Sequence, residues 1–316
     1  MSIPELTFVL LTPDNFETVR KTVACVASDP RARDVELLIV TEAPDTLNAD
    51  PAAVEGFHSL KVLRADMGGG SGSARADALR AASAPIVVFG EDHCFPQQGW
   101  VNALIAAYAK PYAAVGPVVT NANPTNLVSW ADLLMGYGPW LAPGRSTEKD
   151  HLPGHNSSYK KEVLLSLDEE LPNMFEAEST LHWRLRSMGH RLYQESGARV
   201  AHTNFDSWGV WLSVSYHAGR VFADTRARDW SRAKRLAFAV AWPLIPFIRL
   251  WRHLRQAAEA GLPISLVVRV APVLLIGLTA NAAGQGIGSA TDAGNSRATL
   301  VEWDSHRNVP RKQGAE

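Results

Sequence analysis

The chain has 316 residues, 46% hydrophobic and 20% charged, an ordinary globular balance whose length fits one large α/β domain with an appendage. A formal net charge of -1 gives no global field to attract nucleic acid, so no nucleic-acid partner is expected. Two cysteines, Cys25 and Cys94, are too few for a disulfide framework and suggest a reducing compartment. The N-terminus runs straight into "LTFVLL" without a basic or long apolar leader, so no secretory signal is expected.

The first 120 residues alternate strand and helix patterns. Leu6–Leu11 reads as an apolar strand ending at Thr12-Pro13-Asp14, and Asn15–Ser28 follows at helical period. Val35–Val40 reads as a second strand ending at Thr41-Glu42, and Leu60–Ala65 as a third. The glycine-rich turn Met67–Ser73 leads to a helix over Ala74–Ser83. A fourth strand, Pro85–Gly90, ends in Glu91-Asp92-His93. A helix over Trp100–Ala109 and a fifth strand, Tyr112–Thr120, follow. Apolar strands joined by helices predict a parallel sheet covered on both faces, with ligands beyond the carboxyl ends of the strands. Three strands deliver polar groups to that rim.

The middle, residues 121 to 173, reads as loop-rich. A helix over "ESTLHWRLRSMGHR" and a strand region over "LYQESGARVAHT" come next. Beyond residue 225 the character changes: Arg220 to Arg269 holds ten Lys or Arg against Asp224, Asp229 and Glu259. Leu236–Ile248 is an apolar run of 13 residues with two prolines, short of the ~20 a spanning helix needs. The run from Leu262 to Ala283 is interrupted by Arg269 and Pro272. Basic residues beside Trp242, Phe247 and Trp251 predict amphipathic helices lying in a bilayer interface; a helical subdomain folded onto the first domain would show the same pattern. The tail from Ser289 is polar and expected to fray. The chain thus divides at 1–225, 226–288 and 289–316.

The chemistry gathers at Glu91-Asp92-His93. One carboxylate at a strand end can bridge ribose hydroxyls, and a second donor can hold a divalent cation that neutralises a diphosphate. An exposed polar strand end would carry the same residue types. Elsewhere, "MGGGSG" lacks the lysine of a phosphate-cradling loop and reads as a flexible turn, and Cys94 as a small apolar filler. Trp183 and Trp208 could stack on a sugar or pack the core. His182 and His190 are expected to face solvent or cap a helix.

Five motifs carry a resemblance: "LTPDN", "TEAPD", "GSARADALRAA", "EDHCFPQQGW" and "LPGHNSSYKKEVL", followed by "EAESTLHWRLRSMGHRLY" and "ARVAHTN". Together, over residues 6 to 225, they resemble the inverting glycosyltransferases of family 2. That resemblance implies an α/β GT-A fold, a Rossmann-like, mostly parallel sheet with helices on both faces, here followed by the amphipathic membrane-associating region. It implies that Thr12, Pro13, Glu42, Arg75, Glu91, Asp92, His155 and Asn156 contact a UDP-, GDP- or dTDP-sugar. Asp92, His93 and His202 would hold Mn2+ or Mg2+, imidazole favouring Mn2+. Glu178 would be the general base, with Glu176 its substitute if the turn shifts, and Arg184 or Lys160 would assist the leaving diphosphate.

Three departures stand out: His93 replaces an aspartate, Ala177 a glutamate, and Glu91 is a methylene longer than the usual aspartate. No Gln-x-x-Arg-Trp element is present, which favours transfer of a single sugar over processive synthesis. The expected acceptor is a lipid-linked or cell-surface glycan, and the expected place the cytoplasmic face of a membrane, peripheral or monotopic. Two other readings stay open. A sugar nucleotidyltransferase would need a glycine-rich basic signature at the first strand, which "VLLTPDNFE" lacks. A GT-A domain without catalysis could serve as a nucleotide-sugar-binding scaffold.

Overall fold

A computed structural model describes residues 3–12, 15–67 and 71–304. Strands β1 (Leu6–Leu11), β2 (Val35–Thr41), β3 (Ser59–Arg64) and β4 (Ile86–Phe89) run parallel, in the order β3-β2-β1-β4. β1, β2 and β4 are buried on both faces, which is why they read as unbroken apolar runs. β3 is an edge strand and largely exposed. Beyond β4 the sheet becomes mixed. It adds β5 (Cys94–Pro96), β6 (Ala114–Asn121), β7 (Thr147–Glu148), β8 (Ser158–Lys160) and β9 (Leu192–His202). β8 wedges antiparallel between β4 and β6, β9 lies parallel to β6, and β5 and β7 both pair antiparallel with β9.

Side-chain alternation sends neighbouring strand residues to opposite layers. On one face Leu6, Phe8 and Leu10 meet Phe16, Val19 and Val23 of α1 (Phe16–Ala27), whose N-terminus Asn15 caps by accepting from the Glu17 N–H at 2.9 Å. The short α2 (Pro51–Val54) lies beside α1. On the other face Val9, Leu38 and Phe89 share a core with Leu79 of α3 (Gly72–Ala81). Trp100 of α4 (Trp100–Ala107) sits edge-on to Phe8 in the first layer, ring centroids 5.5 Å apart.

The middle segment is not the loop region its sequence suggests. It holds α5 (Leu127–Tyr137), strand β8, α6 (Lys161–Leu165) and α7 (Leu171–Met174) before α8 (Glu178–Ser187). Asn126 caps α5 by accepting from the Ser129 N–H at 3.0 Å, and Leu133 and Leu134 carry it into the first core layer. β8 is too short for a period to register.

The C-terminal segment forms α9 (Trp208–Arg226), α10 (Arg232–Ala241), α11 (Ile245–Glu259), α12 (Ile264–Ala290) and α13 (Ser296–Asp304). Pro272 does not interrupt α12, which is held along its length by contact with α9. α12 and α9 approach at backbone distance. A Cβ on Gly219 would fall 2.0 Å from the Asn281 carbonyl oxygen, and one on Gly284 2.0 Å from that of Tyr216. Asn281 adds polar contacts, donating to the Ser215 carbonyl at 2.9 Å and accepting from Arg249 at 2.6 Å. By length and composition α12 could cross a membrane, with mean hydropathy 1.8 over a window 39% buried here. The tail does not fray at Ser289: α13 is helical because Val301 and Trp303 pack on the two core layers and buried Ser296 bonds His217 at 2.9 Å.

Candidate active site

β4 ends at Gly90, where a side chain would strike the Phe8 ring at 2.5 Å. Only glycine lets the strand turn there, and the turn presents Glu91, Asp92 and His93 at the carboxyl edge of the sheet. The antiparallel register of β5 on β9 pairs Cys94 with His202, and the Thr203 N–H donates to the His93 carbonyl at 2.9 Å. Residues 109 apart in sequence therefore stand side by side, their rings edge to face at 4.9 Å. Both imidazoles aim Nε2 at the Glu91 carboxylate: His93 to Oε1 and His202 to Oε2, each at 3.5 Å.

The opposite ring nitrogens are fixed. His93 Nδ1 donates to the Asp92 carboxylate at 2.6 Å, and His202 Nδ1 to the Asn204 carbonyl at 2.8 Å. In the neutral ring a proton on each Nδ1 leaves Nε2 free to take a metal, the arrangement that orients metal-binding histidines. Donors about 2.1 Å from one ion at a tetrahedral angle lie roughly 3.4 Å apart. Glu91, His93 and His202, all buried and with ligand atoms within 4.8 Å of one another, fit a divalent cation. Asp92, expected among the ligands, is placed instead to hold His93; Glu91 takes its place in the cluster.

A second cluster adjoins the first. His155, in the loop before β8, contacts the Glu91 carboxylate through Nδ1 and lies 2.9 Å from Glu178 Oε1 through Nε2. Arg75 of α3 donates to Glu178 Oε1 at 2.8 Å and to the Phe175 carbonyl at 3.1 Å, with Nη2 2.7 Å from His155. Gly154 makes room, since a Cβ there would meet Glu178 at 2.7 Å. Burial opposes ionisation of Glu178, but His155 and Arg75 outweigh it and hold its pKa near about 2. Burial likewise opposes charge on His155, and Glu91 and Glu178 raise it to about 10. Glu91, also buried, is held well below the usual carboxylate range by His155 and His93.

These groups open onto a cavity of about 250 Å³ whose lining includes Arg75, Glu91, Asp92, His155 and Glu178. Asn156 does not face it but braces it, with φ 61°, donating from Nδ2 to Glu91 Oε2 at 3.1 Å. Thr12 is buried at the end of β1, donating to the Asn15 carbonyl. Glu42 sits on the rim, accepting from the N–H of Met67, itself a lining residue. Pro13 and residues 68–70 of the glycine-rich turn lie outside the described residues.

Arg184 and Lys160 do not reach the cavity: Arg184 pairs with Glu170 at 3.1 Å on the exposed side of α8, and Lys160 ends β8 beside a different hollow. Trp183 and Trp208 are surface residues, 40% and 44% exposed. His182 does not face solvent; it is buried, 2.9 Å from the Tyr159 hydroxyl, because α8 turns that face inward.

Three residues went unread. Tyr137 donates to Glu91 Oε2 at 3.1 Å, Asn204 fixes His202, and Arg297 of α13 lines the cavity. The Asn126 cap and the apolar period after it were the available signal for the helix that ends in Tyr137.

The mixed α/β sheet, with a metal-fitting cluster and a buried carboxylate at its carboxyl edge, is that of a GT-A type glycosyltransferase. Residues 9–167 match the model of glycosyl transferase family 2, and the chain belongs to that family. No curated protein matches the chain. Among solved structures, the mannosyltransferase PcManGT of Pyrobaculum calidifontis, in complex with GDP-Man and Mn2+, is 16% identical. The match covers 90% of this chain and 88% of that one at a TM-score of 0.54, a shared fold. S. aureus TarS in complex with UDP is 13% identical over 90% of both chains at 0.48. GalNAc-T7 with UDP, GalNAc and Mn2+ is 13% identical at 0.47, covering 65% of this chain and 44% of that one, so the chain spans less than half of that structure.

Proposed function

We propose that this glycosyltransferase moves one sugar, with inversion, from a UDP-, GDP- or dTDP-sugar to a hydroxyl of a lipid-linked or cell-surface glycan. The observation that carries the reading is the shared cavity: Glu91 of the metal-fitting cluster and Glu178 line one space and are bridged by His155. A metal-fitting cluster and a carboxylate that line one space suit attack opposite a departing diphosphate.

In this reading Glu91, His93 and His202 hold the cation, with Asp92 and Asn204 orienting the imidazoles. A bound Mn2+ or Mg2+ would supply charge to stabilise the leaving diphosphate, and two imidazole donors favour Mn2+. Glu178 is the base. Arg75 and His155 fix its orientation and keep it ionised, at the cost of ground-state basicity. The acceptor proton therefore passes to Glu178 only as the acceptor oxygen bonds the anomeric carbon and becomes acidic. The glycosidic C–O bond breaks at the same centre, and its electron pair leaves on the diphosphate.

The membrane reading rests on α10 to α12. Val240, Leu244, Phe247, Ile248, Trp251 and Ile264 are each at least 64% exposed, and the segment carries the basic excess. Such a surface suits an anionic bilayer interface and would place a lipid-linked acceptor beside the site.

The stereochemical outcome tests the proposal. With an α-linked donor, NMR of the first product formed, by transfer or slow hydrolysis, is expected to show the β anomer. An α product would refute inversion. Binding of a nucleotide sugar without any turnover would favour a scaffold, a reading to which the locked Glu178 lends some support.

A further inference from the structure

The family match ends at residue 167, yet part of the cavity lining comes from much later in the chain: Arg297 and Leu300 of α13 line it together with Glu91 and Arg75. Arg297 Nη2 donates to Asp224 Oδ2 of α9 at 2.9 Å and approaches Thr225 Oγ1 at 3.5 Å. Its Nε lies 3.8 Å from Glu176 Oε2, an ion pair too long for a hydrogen bond. A guanidinium carries five N–H donors, and these contacts engage a minority of them. Arg75, the other lining arginine, is committed to Glu178, the Phe175 carbonyl and His155. The lining carboxylates Glu91, Asp92, Glu176 and Glu178 would repel a diphosphate, so a cationic side chain in the lining would help the metal hold an anionic donor. Among the described residues lining the cavity, Arg297 is the guanidinium that is not tied to Glu178.

We infer that Arg297 is a donor-binding residue that grips the diphosphate of the nucleotide sugar from the C-terminal wall, Asp224 holding it in place. The inference rests on the nucleotide-sugar reading above and adds to it a residue far outside the matched region. A planar guanidinium suits two phosphate oxygens at once. It also makes the polar tail part of the donor site.

Calorimetric titration of the full-length protein with uridine, guanosine and thymidine diphosphates and monophosphates, in Mn2+, tests this. For the base that binds, Arg297→Ala is expected to weaken the diphosphate roughly 10- to 100-fold and leave the monophosphate nearly unchanged. Arg297→Lys should recover part of the loss. Asp224→Asn breaks the same ion pair but keeps the cation, so it should weaken the diphosphate much less. Unchanged diphosphate affinity in Arg297→Ala overturns the inference and leaves the nucleotide-sugar reading standing. Equal losses in Arg297→Ala and Asp224→Asn, or equal losses for mono- and diphosphate, mean that the pair only props the wall. If the wild type binds no nucleotide, both readings fall together.

Discussion

Glu178 is held by an arginine and an imidazole in a buried place, so its charge is secure and its geometry fixed. Glu178→Gln keeps the shape and removes the proposed base; turnover is expected to fall on the order of 10²- to 10⁴-fold with little change in donor affinity, read as kcat against KM. His182 gives a prediction of a different kind. Burial lowers its pKa to about 3, against about 6.5 in an unfolded chain. Its contribution is complete above pH 6.5 and is lost as pH falls toward 3, because only the unfolded chain takes up the proton. Urea denaturation at pH 7 and pH 5 should show lower stability at pH 5, with a slope of up to about 1.4 kcal/mol per pH unit from this residue. His182→Gln should flatten that slope, and an unchanged slope would refute it. Glu91, His93, His202, His155 and Glu178 could be found in the sequence because strand ends and motif order pin them. The placing of Glu91 rather than Asp92 in the metal-fitting cluster could not, since it depends on which way two adjacent side chains point. Tyr137 reaches Glu91 from a helix the sequence hides among turns.

At the scale of elements, the parallel strands were legible because burial on both faces leaves unbroken apolar runs. The mixed half of the sheet was not: β8 has three residues and β5 three, too few for a period to register. α12 misled in another way. Proline usually ends a helix, because it removes a hydrogen bond and crowds the preceding turn, but packing against α9 holds α12 together through Pro272. The α9–α12 contact depends on glycines with no space for a Cβ, their neighbours being backbone. Gly284→Val should therefore cost roughly 3 kcal/mol, since neither helix can move without losing the other. A lowered denaturation midpoint in circular dichroism would bear this out, and wild-type stability would refute the packing. Gly136, where a Cβ meets nothing within 4 Å, is the matched control.

Over the whole molecule, the site is assembled from segments near residues 75, 91, 155, 178, 202 and 297, and the sheet's register brings them together. α10 and α11 pack on α12, and α12 and α13 both pack on α9, so the exposed apolar face belongs to the helical layer that also carries α13. Vesicles with 30% phosphatidylglycerol, a fraction chosen to give roughly the surface potential of an anionic leaflet, should sediment the wild type. Phe247→Glu with Trp251→Glu should stay in the supernatant, and equal sedimentation would refute this face. The central claim is a metal-assisted nucleotide-sugar site at Glu91, His93 and His202. Its most direct measurement is calorimetric titration of the wild type with UDP, GDP and dTDP, each with and without Mn2+, alongside His93→Ala and His202→Ala. One nucleoside diphosphate is expected to bind, to need Mn2+, and to bind much more weakly in both variants even with Mn2+ present. A folded protein that binds none of the three, or binds one regardless of metal and of both histidines, would contradict the account.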